Sequence, residues 1–262
     1  VWLRRVIWCI MKTAFVLGNG ESRKIFPIEL LKGKGTIWGC NAIFRDKPDL
    51  CDHIVAVNQP MYDELKTWHR RYPGKCFIHG PNDIHDWNYT LPGDTEYYTP
   101  PGLKLYRIWR GGDIKKGTGI RTIDFTESKG SGASAVLLAA ESGVKNICII
   151  AFDILGARQW EFIRAGTGEV SRLQNNIYKN TINYPSRINM KAYLKYEWMF
   201  QLRQIFRKYP STNFYFFNRR ENIEFNHYLK GYFDTKNIRV GTYGDLKRWI
   251  DGEQASIDWW KL

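Results

Sequence analysis

Short apolar runs closed by a turn-forming residue recur along this chain and constrain its fold more than any other feature. TAFVL ends on Gly18, TIWGC runs to Asn41, HIVAV runs to Asn58, KCFIH stops at Gly80, and NICIIAF stops at Asp153. Each is too short for a helix and apolar on consecutive residues, the pattern of a parallel strand buried on both faces. Between them the spacing becomes helical. Ser22 is read as the cap of a helix over Arg23–Leu31, and Pro60–Arg71 has apolar residues at helical intervals. Ser131 or Gly132 opens a helix that Gly143 closes, Ile188–Tyr209 is amphipathic, and a last helix is expected over Tyr243–Ile250, after the strand TNFYFFN. This alternation predicts an α/β fold: a mostly parallel sheet with helices on both faces, in one domain over residues 11–262. Segments 81–126 and 155–187 lack periodicity and are read as irregular, lid-like connections.

In such sheets ligands bind outside the carboxyl ends of the strands. The residues there, Gly18-Asn19-Gly20, Asn41, Asn58, His79 and Asp153, are therefore expected to converge on one cleft. Gly18 and Gly20 would let backbone approach a ligand closely, and N–H groups at a helix start suit a phosphate. The loop is not a dinucleotide fingerprint, because Arg23, followed by Lys24, stands where that motif wants glycine or alanine, and there is no Walker lysine motif.

The formal net charge of +13 would attract phosphates, whether of a nucleotide, a nucleic acid or an anionic membrane surface. Five cysteines without a C-x-x-C pair fit a reducing compartment, with no structural disulfide and no zinc site. A cytoplasmic protein, at most in peripheral contact with the inner face of a membrane, is the expectation. Residues 1–10, VWLRRVIWCI, are too short an apolar run for a signal peptide or for the roughly 20 residues of a membrane span. They are read as an upstream extension before Met11.

VLGNGESR, GTIWGCNAIFRD, IVAVNQP and GSGASAVLLAAESGVKNICIIAFDI are similar, in order and spacing, to the bacterial sialyltransferases of the Campylobacter type and to related sialyltransferase-like glycosyltransferases. The resemblance covers Thr13 to Ile154. It implies a Rossmann-like, GT-A-like domain that transfers a sugar from a nucleotide-sugar donor, a CMP-sugar above all, to an acceptor hydroxyl. Gly18, Asn19, Gly20, Ser22, Asn41, Asn58, Ser131 and Gly132 are implied to hold the donor. No metal or other cofactor is implied, since tyrosines and backbone donors stabilise the leaving phosphate in that family.

The chain departs from the family where a tyrosine and a catalytic histidine are expected a few residues apart. NNIYKNTINYPSR has Tyr178 and Tyr184 but no histidine. Tyr178 could contact the leaving phosphate, yet a phenol with pKa about 10 is a poor base at neutral pH. Asp153 and His85 remain as candidates for the base. The acceptor is expected to be a glycan, or a nucleic acid such as a hydroxylated base in viral DNA. Two other readings stand beside this one: a pyrophosphokinase or other nucleotide-dependent transferase, needing ATP and magnesium, and a non-catalytic basic nucleic-acid-binding module.

Overall fold

The computed structural model describes residues 13–56, 60–61, 64–65, 75–79, 106–108, 130–154, 176–184, 192–218, 233, 235–253, 255, 257 and 259–261. Nine strands form one sheet: β1 (Thr13–Leu17), β2 (Thr36–Cys40), β3 (His53–Ala56), β4 (Lys75–His79), β5 (Tyr106–Ile108), β6 (Asn146–Ile150), β7 (Asn213–Asn218), β8 (Ile238–Thr242) and β9 (Trp260–Lys261). Their spatial order is β5-β4-β3-β2-β1-β6-β7-β8-β9, and every pairing is parallel except β8 with β9. From β1 the chain winds outward through β2 to β5, then returns to the other side of β1 as β6. The fold is therefore doubly wound α/β, with its topological switch point between β1 and β6.

Alternation along the strands builds two cores. Ala14 and Val16 of β1, with Ile147 and Ile149 of β6 and Phe214 and Phe216 of β7, face helices α1 (Ser131–Glu141) and α2 (Ala192–Lys208). Phe15, Leu17, Cys148, Ile150 and Phe217 face the opposite side, which is covered by short 3-10 turns and by α3 (Tyr243–Ile250). Helix α3 starts on a capping box between Thr242 and Asp245, which satisfies orphan N–H groups of its first turn. The expected covering of both faces is thus present. Among the described residues no helix is long and apolar enough to cross a membrane.

Several expectations need correction. The stretch read as one helix over Arg23–Leu31 is two 3-10 turns, Glu21–Ile25 and Ile28–Leu31, with no side-chain cap at Gly20 or Pro27. Pro27 supplies no N–H to an α-helical ladder, and the Ser22 hydroxyl is engaged elsewhere. Strand β6 stops at Ile150 because Ala151 takes a left-handed φ of 58°, turning the chain before Phe152. The segment 81–126, read as irregular, contributes the edge strand β5. Strands β8 and β9 extend the sheet beyond TNFYFFN, the last run read as a strand.

Candidate functional site

The loop after β1 lies against the turn after β6, and this contact explains its glycines. Gly18 N–H donates to Ile150 O at 2.8 Å and Gly20 N–H to Ala151 O at 3.0 Å. A Cβ on Gly18 would collide with the Ala151 carbonyl and stand 2.9 Å from the Phe152 ring. One on Gly20 would stand 2.5 Å from Asp153 Oδ2 and 2.6 Å from Ala151 O. Neither glycine has a positive φ of the kind that excludes side chains. The space a side chain would need is filled by the protein itself, so these glycines are required by packing even without a ligand. Gly132 follows the same rule, since its Cβ would lie 2.8 Å from the Phe152 ring.

Ser22 and Asp153 complete this junction. The Ser22 hydroxyl donates to Asp153 Oδ1 at 2.5 Å, and the Ser22 N–H donates to Oδ2 at 2.9 Å. Tyr243, the first residue of α3, lies 2.8 Å from the same hydroxyl oxygen. Ser22 is buried, so its hydroxyl belongs to a three-way tie between the β1 loop, the β6 turn and α3.

On the β2 side of the loop the polar groups are differently arranged. Asn19 Nδ2 donates to Cys40 O at 3.0 Å, at the end of β2. The next residue, Asn41, is held at φ 50°, a left-handed position that asparagine tolerates. Its Oδ1 accepts a 2.6 Å hydrogen bond from the hydroxyl of Ser131, in the first turn of α1. Gly130 caps that helix without a side chain, and its own N–H donates to Gln201 Oε1 of α2 at 2.9 Å. Asn19, Asn41 and Ser131 therefore line one edge of the sheet beside the switch point, drawn from β1, β2 and the helix preceding β6.

Beneath the loop is a buried cation the sequence reading overlooked. Arg23 sits under the glycine turn with its side chain 3% exposed and paired with Asp46, whose carboxylate is 41% exposed. One terminal nitrogen bonds both Asp46 oxygens at 3.0 Å and the Tyr178 hydroxyl at 2.8 Å; the other reaches Asn19 Oδ1 at 3.3 Å and Gly18 O at 3.4 Å. The Tyr178 hydroxyl in turn donates to Asp46. Burial pushes the Tyr178 phenol far above its ordinary value, only partly offset by the Arg23 charge. Its hydroxyl is a fixed link in this triad and cannot ionise near neutral pH.

Tyr178 belongs to a tight turn over residues 176–184 that straps the loop. Ile177 N–H donates to Asn19 O at 3.0 Å. Arg45 anchors the far end through Thr181 Oγ1 at 2.7 Å and Ile182 O at 2.9 Å, while Glu64 takes its Nε at 2.5 Å. The Arg45 guanidinium stands 5.7 Å from the centres of both the Tyr178 and Tyr184 rings. The Tyr184 hydroxyl is buried without a hydrogen bond of good geometry, beside the Asn19 amide and the Ala42 backbone. Burial raises that phenol to about 12, against the pull of the Arg45 charge.

Of the residues singled out from sequence, Gly18, Gly20, Ser22 and Asp153 meet at the β1–β6 junction, and Asn19, Asn41, Ser131 and Gly132 lie alongside it. Tyr178 reaches the same loop from below. Asn58 and His85 lie outside the described residues. Arg23, Asp46, Tyr184 and Tyr243 went unnoticed as site residues, because each acts through a partner distant in sequence. The one available signal was Arg23 itself, a charge placed directly after a loop meant to be close-packed. Among the described residues no group of His, Cys, Asp and Glu side chains is placed to hold a metal ion.

Fold and site together define a doubly wound α/β protein with a cluster of amides and hydroxyls at its switch point. No family model, curated protein or solved structure matches the chain.

Proposed function

We propose that this protein is a glycosyltransferase of sialyltransferase-like type, built on a GT-A-like domain, that takes its sugar from a nucleotide donor, a CMP-sugar in the first instance. The observation that carries the reading is the meeting of Asn19, Asn41 and Ser131 at the carboxyl ends of β1 and β2, joined by the Asn19–Cys40 and Ser131–Asn41 hydrogen bonds. These are the positions the sequence resemblance assigns to donor binding, and strand ends beside a switch point are where doubly wound folds take their ligands. The first-turn N–H groups of α1 add donors for a phosphate.

In this reading the glycine loop, Ser22 and Asp153 form the rigid wall of the donor site, and Asn58 adds a further contact. Asp153 holds Ser22 through both oxygens, and Tyr178 is fixed between Arg23 and Asp46. Taking the acceptor proton falls to His85, whose unperturbed pKa near 6.5 suits a base at neutral pH. No metal takes part, and the protein works in the cytoplasm or at the inner face of a membrane. The acceptor is a glycan hydroxyl or, given the net charge of +13, a hydroxyl on modified DNA.

Thermal melting with CMP, UDP, GDP, ATP and their sugar conjugates, with and without magnesium, tests the proposal, because a ligand bound only by the native state raises the melting temperature. A shift with CMP that needs no magnesium is expected. A shift confined to ATP with magnesium would favour a pyrophosphokinase, and no shift with any nucleotide would sink both enzymatic readings.

A further inference from the structure

The orientation of an asparagine amide is ordinarily ambiguous, because its oxygen and nitrogen are nearly the same size. Asn19 is an exception, since its neighbours admit one orientation only. A guanidinium has donors and no acceptor, so the atom facing Arg23 at 3.3 Å must be Oδ1. A backbone carbonyl has acceptors and no donor, so the atom facing Cys40 O at 3.0 Å must be Nδ2. Arg23 is itself fixed, on one nitrogen by Asp46 and Tyr178 and on the other by the Gly18 carbonyl.

We infer that Arg23 is a positioning residue which locks Asn19 with its amide oxygen turned inward, so that the one amide hydrogen not given to Cys40 O is left to meet the ligand and this end of the site selects an edge made of acceptors. The phosphoryl oxygens and base carbonyl of a pyrimidine nucleotide have that chemistry. This deepens the donor-site reading above and rests on it for the identity of the ligand. Two neighbours add to the pattern. The Asn41 oxygen is likewise occupied, by the Ser131 hydroxyl, and the buried Tyr184 hydroxyl beside Asn19 has no acceptor among the described residues.

Lysine at position 23 would keep the charge beside Asp46 but has no planar fork with which to reach Asn19 as well. In Arg23→Lys, CMP affinity measured by calorimetry is expected to fall roughly tenfold, the weight of one hydrogen bond, while a cooperative melt is kept. Unchanged affinity would overturn the inference and leave the donor-site reading standing. A second readout needs no ligand. In ¹⁵N-labelled free protein the Asn19 side-chain NH₂ pair, identified by its absence in Asn19→Asp, should move in Arg23→Lys; a pair that stays in place would overturn the inference whether or not nucleotide binds. Should Arg23→Lys fail to fold, Asn19→Asp serves alone, because it keeps an acceptor toward Arg23 and replaces the N–H groups by a second oxygen; since it also adds a negative charge that repels a phosphate, cytidine, which has none, is titrated beside CMP. Loss of at least roughly tenfold in cytidine affinity with a preserved melt supports the inference, and retained cytidine affinity overturns it even where CMP binds more weakly. A native protein that binds no CMP sinks the donor-site reading, and the NH₂ resonances then decide the role of Arg23.

Discussion

Gly20→Ala separates two explanations of the same glycine. If Gly20 exists so that a ligand can approach the backbone, the added methyl should leave the ligand-free protein intact and harm only binding. The structure makes a different demand. The methyl carbon would sit 2.5 Å from Asp153 Oδ2 and 2.6 Å from Ala151 O. Neither obstacle is the loose end of a flexible chain: one is backbone, and the other is a carboxylate held by two hydrogen bonds to Ser22. Relief requires the loop to lift from the β6 turn, loosening the Gly20–Ala151 and Ser22–Asp153 hydrogen bonds together. Overpacking of this kind costs about 1–3 kcal/mol, and the rigidity of both obstacles puts Gly20 near the upper end. At about 2–4 °C per kcal/mol for a chain of this size, the ligand-free protein should melt roughly 6–12 °C lower. Scanning calorimetry without nucleotide is the assay. Gly143→Ala is the control, because that glycine has a φ of 80° with nothing near its Cβ, so the variant should lose only about 1–2 kcal/mol of stability to backbone strain and leave the loop undisturbed. A Gly20→Ala protein that melts like the native one would refute the packing explanation.

Three further outcomes follow from the same geometry. Ser22→Ala removes the hydroxyl shared by Asp153 and Tyr243 and should cost about 1.5–3 kcal/mol in urea unfolding, as for a hydrogen bond to a charged group; Ser22→Thr keeps the hydroxyl and should cost less. Asp46→Asn leaves the buried Arg23 without its counter-ion, but Asp46 is 41% exposed, so the loss should fall to about 1–3 kcal/mol, below that of a fully buried pair. Tyr184→Phe should be close to neutral at pH 7, since the hydroxyl makes no good hydrogen bond. Its effect should emerge in alkali: the native phenol titrates at about 12 against 10 when unfolded, so above pH 10 the unfolded state loses its proton first. The native protein's stability therefore falls from pH 10 to 12 by a component that Tyr184→Phe lacks, visible as urea midpoints that nearly coincide at pH 7 and diverge in alkali, with the variant the more stable.

The legible part of this fold was local. Consecutive apolar residues such as TAFVL and NICII have nowhere to go but a strand covered on both faces, and Thr13–Leu17 and Asn146–Ile150 lie within the runs that announced them. Helix α3 occupies the expected Tyr243–Ile250 span, because its capping pair and amphipathic spacing are written within a few residues. Strands β5 and β9 were missed because edge pairing is chosen by neighbours, and short runs such as YRI, like IRVGT of β8 beside the edge, carry no continuous apolar signature of their own. Position 22 illustrates the limit best: a serine before a helix-like stretch reads as a cap, whereas its hydroxyl is taken by an aspartate 131 residues away.

By itself the sequence determined the alternation of strand and helix and the set of Gly, Asn and Ser residues at the strand ends, since backbone preference and hydrophobic pattern are short-range properties of the chain. Only the tertiary structure decided what those residues do to one another. The return of β6 to the side of β1 brings Asp153 onto Ser22, and the 176–184 turn brings Tyr178 onto Arg23, 155 residues away. Long-range pairs of this kind leave no periodic trace, because a hydrogen bond requires only that two groups meet, and the winding of the sheet sets which groups do.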